Sequence, residues 1–174
     1  MILSIVGPPH TGMSTLGRAR AAEHDLAMVD FATIQGVISR GVTEAAQQAR
    51  ALVESGRLVP DDLFVALIHQ CVNRDAVVVG YPRTEGQLRS MVAARGAANL
   101  VVMFLDGTRD LVDARRAAMG LPPVHPGGFK CLSEALAPVV AWAAAAQCLL
   151  RLDPARSLDH LLSVAGTFLA GRKR

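Results

Sequence analysis

Short apolar runs rich in branched side chains recur at residues 3–6, 28–29, 77–79, 100–105 and 148–152, with longer stretches of mixed polarity between them. Runs that do not alternate with polar residues suit strands covered on both faces, as in a parallel sheet, and the stretches between them are long enough to be crossover helices. Helices are predicted over 43–55, 60–72 and 109–119, and the Ala- and Arg-rich stretch after Gly12 is helix-forming as well. Pro60 followed by Asp61 and Asp62 marks a helix start, since proline is tolerated in the first turn and carboxylates favour the positive end of the helix dipole. Thr108 is placed to cap the helix from 109. Three prolines and three glycines between Gly120 and Gly128 break the pattern, so 120–128 is predicted as a loop. The alternation defines an α/β domain.

With 174 residues, one domain with a sizeable core is expected over 1–174, without repeats or a linker. Hydrophobic residues make up 51% of the chain but aromatics only 4%, so Ala, Val and Leu must build the core, with Phe31, Phe64, Phe104, Phe129 and Phe168 as scattered fillers. The net charge of +3 is matched by Arg172, Lys173 and Arg174, which read as a solvated tail and not as a nucleic-acid surface. Cys71, Cys131 and Cys148 form no C-x-x-C pair, which points to reduced, buried thiols in the cytoplasm and to no zinc. The first apolar run lacks a basic flank and meets Gly-Pro-Pro at once, so it reads as a strand and not a signal peptide. The longest apolar stretch, 136–150, is too short for a membrane span.

Residues 7–15 read Gly-Pro-Pro-His-Thr-Gly-Met-Ser-Thr. This is the pattern GxxxxGK[ST] of a phosphate-binding loop in every required position except one: methionine stands where lysine is needed. Such a loop holds phosphate because backbone N–H groups converge at a helix N-terminus, while the lysine ammonium follows the charge that develops during transfer. Met13 supplies none of that charge. Gly7, Pro9, His10, Thr11, Gly12, Met13, Ser14 and Thr15 are the candidate phosphate-binding residues, with Ser14 where these loops hold magnesium.

Two further segments sharpen the reading. Ser-Gly-Arg-Leu-Val-Pro-Asp-Asp at 55–62 resembles the adenylate kinase segment that passes under the monophosphate base, and Gly-Tyr-Pro-Arg-Thr-Glu-Gly-Gln at 80–87 resembles that family's G-[FY]-P-R-T-x-x-Q signature. The chain thus resembles the adenylate kinase and nucleoside monophosphate kinase family over roughly 1–112 and 151–169. The resemblance implies a three-layer P-loop nucleoside kinase fold, with a five-stranded parallel sheet in the order 2-3-1-4-5 flanked by helices. It also implies a helical acceptor-side subdomain over 30–59 and a lid reduced to the loop 120–128. By the same resemblance Arg83 meets the acceptor α-phosphate, Gln87 reads the adenine edge, and Leu58 and Val59 line the acceptor pocket. The implied ligand is ATP or ADP, bound weakly, with magnesium entering alongside the nucleotide. Independently, 80–87 follows a buried run, which places Arg83 at the carboxyl end of a strand, where α/β sheets bind ligands.

Against the family pattern, most of the cations have gone. Phe31 stands at the acceptor-site threonine, Gly36 at the acceptor-site arginine, Val79 at the aspartate that orients magnesium waters, and Ala114 and Ala118 at two lid-helix arginines. His10 replaces a glycine and either crowds the site or adds an imidazole to it. Arg40, Arg115, Arg116 and Lys130 are the candidate substitutes. The expectation is a pseudoenzyme kept for nucleotide sensing or for binding a protein partner. The alternatives are a working nucleoside monophosphate or small-molecule kinase with a rebuilt cation set, and a scaffold that binds no nucleotide.

Overall fold

The computed structural model describes residues 1–72 and 75–172, so Lys173 and Arg174 of the basic tail lie outside the described residues. In chain order the elements are β1 (Ile2–Val6), α1 (Met13–Glu23), β2 (Ala27–Val29), α2 (Phe31–Arg40), α3 (Glu44–Glu54), α4 (Asp61–Cys71), β3 (Ala76–Val79), α5 (Glu85–Arg95), β4 (Leu100–Leu105), α6 (Arg109–Ala118), α7 (Pro126–Ala145), β5 (Leu149–Leu152) and α8 (Leu158–Arg172). The five strands form one parallel sheet in the order β2-β3-β1-β4-β5, as expected.

Residue parity sorts the core. Leu3, Ile5, Val77, Val79, Val101 and Met103 face α1 and α8, meeting Leu16, Leu161, Ala165 and Leu169. Ile2, Val6, Val78, Leu100 and Val102 face the other way, toward Ile68, Leu88, Met91, Leu136 and Val139 of α4, α5 and α7. Because both sides of each strand are covered, the strand sequences are continuous apolar runs. Ser4, buried on the central strand, donates to Tyr81 O at 2.5 Å and ties β1 to the segment after β3. Thr43, Thr84 and Thr108 cap α3, α5 and α6 through their side chains.

Three expectations are corrected. Pro126, Gly127 and Gly128 are not loop but the first turn of α7, where the missing proline N–H has no partner to lose; the open connection ends at His125. Phe31 is no core filler: it opens α2 on the outer surface, 64% exposed. Cys131 is exposed on α7, while Cys71 is half-buried and Cys148 buried, and burial raises the thiol pKa of both. Among the described residues no helix is long and apolar enough to cross a membrane.

α1 lies close to the sheet because Gly17 faces β3: a Cβ there would stand 2.5 Å from Val79 Cγ2. Val79 is β-branched and packed, so it has little freedom to move aside. Gly17→Ala should lower unfolding free energy by about 1–3 kcal/mol in urea titration, as overpacking does. His69 has its pKa lowered by burial and then by Arg95, and among the described residues its buried Nε2 has no partner. The unfolded chain therefore takes up the proton first, so the stabilisation is complete above the ordinary histidine value of about 6.5 and declines as pH falls below it. The urea midpoint should drop more between pH 7.5 and 5.5 in the wild type than in His69→Leu.

Candidate functional site

β1 delivers the chain to Gly7, and six residues later α1 begins. The turn is tight. A Cβ at Gly7 would lie 2.7 Å from Leu105 O, and one at Gly107 would lie 2.4 Å from Thr11 Cγ2, so the loop rests directly on the end of β4. Thr11 is buried and donates to Pro8 O at 2.7 Å, and Gly12 caps α1 at φ 97°. These contacts fix the backbone that leads into the N-terminus of α1, the end of a helix that favours anions. Ser14 and Thr15 are exposed beside them, while the Met13 side chain is half-buried against the apolar cluster beneath α1.

His10 organises the cations. It adopts a left-handed backbone (φ 63°), with its carbonyl accepting from Arg115 Nη1 at 3.0 Å and its ring Nε2 lying 2.9 Å from Arg116 Nη1. Arginine only donates, so Nε2 is the acceptor of that pair. Arg115 also donates to Pro154 O, and Arg116 Nε donates to Pro122 O at 2.6 Å. Val124 N–H donates to Asp113 Oδ1 at 2.7 Å, which fastens the short connection between α6 and α7 to α6. Two of the four candidate substitutes therefore reach the loop. The other two do not. Arg40 folds back over Gly36, its Nη1 3.3 Å from where a Cβ would stand; Lys130 lies 3.8 Å from Glu134 on the exposed side of α7.

On the acceptor side, a cavity of about 230 Å³ opens between the end of β3 and α2, lined by Phe31, Ile34, Val59, Phe64, Tyr81, Arg83 and Gln87 among others. Arg83 Nε donates to Gly80 O at 2.7 Å, and no carboxylate lies within salt-bridge distance of it among the described residues. Gln87 is held at both ends: Oε1 accepts from Arg83 N–H at 2.8 Å and Nε2 donates to Asp61 Oδ1 at 2.7 Å. Asp61 Oδ2 accepts from Thr84 at 2.7 Å. Burial, and after it the charge of Asp61, pushes the Tyr81 hydroxyl well above the usual phenol range, so it stays a neutral donor to Gln87 O. Leu58, by contrast, is 93% exposed and lines only the adjoining outer groove. The Asp61 clamp is the feature that sequence reading misses; Asp61 reads there simply as a favourable charge at a helix start.

Magnesium finds little support from the chain itself. Val79, where the family pattern has an aspartate, is a buried hydrocarbon, and the Ser14 hydroxyl is exposed beside the loop.

No protein-family model matches the chain. Individual relatives do. It is 36% identical over 95 residues to the adenylate kinase of Deinococcus radiodurans, covering 52% of this chain and 48% of the relative. It is 36% identical over 121 residues to that of Clavibacter michiganensis, covering 65% and 60%. To the adenylate kinase of Stenotrophomonas maltophilia it is 29% identical over 180 residues, covering 92% and 95%. The match thus spans about half the length of the Deinococcus enzyme and nearly all of the Stenotrophomonas one. With the sheet order and the loop, these matches make the chain adenylate kinase-like.

Asp61→Ala removes two hydrogen bonds that join α4 to α5. It should lower unfolding free energy by about 1 kcal/mol and speed amide exchange over 83–87, read by urea titration and hydrogen-exchange mass spectrometry.

Proposed function

We propose that this adenylate kinase-like chain binds an adenine nucleotide through its phosphate loop, transfers little or no phosphoryl group, and serves as a nucleotide-responsive protein. The observation that carries the reading is the state of the cations at the loop. Arg115 and Arg116 are fastened to the carbonyls of His10, Pro154 and Pro122, and the residue in the lysine position packs against hydrocarbon. Phosphoryl transfer depends on positive charge placed where negative charge develops, and one arginine is worth about 10³–10⁵ in rate. Such losses are not additive, yet a site without the lysine and with its arginines bound to backbone retains few of these terms. Binding is less demanding, since the backbone donors of the loop persist and Arg115 lies beside Gly12.

A second reading is an active kinase with a rebuilt cation set. It is favoured by the same two arginines, which reach the loop from α6 although they are out of register with the arginines of the family pattern.

Calorimetric titration with Mg-ADP tests the proposal. The wild type should bind weakly, and Arg115→Ala more weakly still. Met13→Lys should gain about 1–2 kcal/mol, the scale of a charge-assisted hydrogen bond to phosphate. Coupled ADP production from ATP and AMP should stay near background in both the wild type and Met13→Lys. Robust wild-type turnover that Arg115→Ala abolishes would establish the second reading, and absence of ADP binding at millimolar nucleotide would leave only a scaffold.

A further inference from the structure

The acceptor cavity combines three features that a site for a nucleoside monophosphate should not have together. Its side walls are mostly hydrocarbon and aromatic, from Phe31, Ile34, Val59, Phe64 and Tyr81, with Asp30, Arg83 and Gln87 as the polar lining. Phe31 is largely exposed, an unusual state for a side chain of that size unless something covers it. The amide that by resemblance reads a base edge, that of Gln87, is held at both ends, by Asp61 and by the Arg83 backbone, and is fixed in place. Arg40 Nη1 stands beside Gly36, 3.3 Å from where a Cβ would be, but Arg40 is not among the residues that line the cavity. Arg83, which among the described residues has no carboxylate within salt-bridge distance, lines the chamber, and the Asp30 carboxylate that also lines it is taken up in capping α2 through Thr33 N–H.

A purine placed here would meet hydrocarbon on most of the wall, and the polar side chains facing it, Asp30 and Gln87, already hold Thr33, Arg83 and Asp61, an arrangement that pairs a base edge poorly. A flat apolar group carrying one anion meets no such penalty: Phe31, Phe64 and Val59 cover its body and Arg83 takes its charge. The outer groove of about 560 Å³ shares Phe31, Ile34, Val59 and Phe64 with the cavity, so the apolar surface continues outward past Leu58 for a body longer than a nucleoside. We infer that the acceptor-side cavity binds an organic monophosphate with an apolar aromatic body in preference to a nucleoside monophosphate. The inference rests on the nucleotide reading only in taking this cavity as the acceptor side of the phosphate loop.

The probe is 1-naphthyl phosphate, which has the two fused rings and the phosphate of a purine monophosphate but no hydrogen-bonding edge. In calorimetric titration of the full chain it should bind at least about tenfold more tightly than AMP, the scale of one unpaired polar group in an apolar pocket. Arg83→Ala should weaken it at least about tenfold, and Phe31→Thr should narrow the preference over AMP. AMP binding as tightly as naphthyl phosphate, or naphthyl phosphate binding that survives Arg83→Ala, overturns the inference. A wild type that binds Mg-ADP but not naphthyl phosphate overturns it while leaving the loop reading intact. One that binds naphthyl phosphate through Arg83 but no ADP supports the cavity and overturns the loop reading alone.

Discussion

Between the end of β1 and the start of α1 the backbone passes so close to the end of β4 that neither Gly7 nor Gly107 has room for a side chain. That contact sets the height of the loop above the sheet and the direction in which α1 leaves it, and Gly17 keeps the helix close as it crosses β3. The loop rests on β4, and the connection after β4 leads into α6, so Arg115 and Arg116 arrive over the loop as a consequence of the same packing. An anion site built this way derives its geometry from the sheet and not from the residue in the lysine position. It can therefore lose that lysine and keep its shape.

Losing the lysine changes what the site can do more than how it folds. Met13 turns a charge that belonged over the phosphates into hydrocarbon against the core beneath α1. His10 then gathers the two nearest arginines, one on its carbonyl and one on its ring, and both guanidinium groups also hold backbone carbonyls of neighbouring turns. Arg116 and Asp113 together fasten the short connection between α6 and α7, a brace that holds the cations of α6 still.

Much of the architecture is legible in the sequence because it depends on local rules. The strands appear as short, largely apolar runs, the cap at Thr108 follows from side-chain chemistry, and the loop is written in its glycine spacing. The site is legible only in part. Whether Arg115 and Arg116 reach His10, or Arg40 folds over Gly36 without lining the cavity, depends on helix placement that one-dimensional spacing does not carry. The Asp61 clamp joins residues 23 and 26 positions apart across two helices, and nothing in the local sequence marks it. Pro126 looks like a breaker in sequence, yet it starts α7, because a proline in the first turn and a proline in a loop read alike until the following residues are seen to coil.

The central claim is that nucleotide binding and phosphoryl transfer have been separated in this site. The most direct measurement is phosphorus NMR of the wild-type chain with MgATP and AMP, followed for hours, which reads binding and chemistry in the same spectrum. The expected result is ATP resonances shifted or broadened by the protein, with no ADP accumulating beyond a protein-free control. ADP resonances growing toward the ATP plus AMP equilibrium, or ATP lines unchanged by the protein, would contradict it.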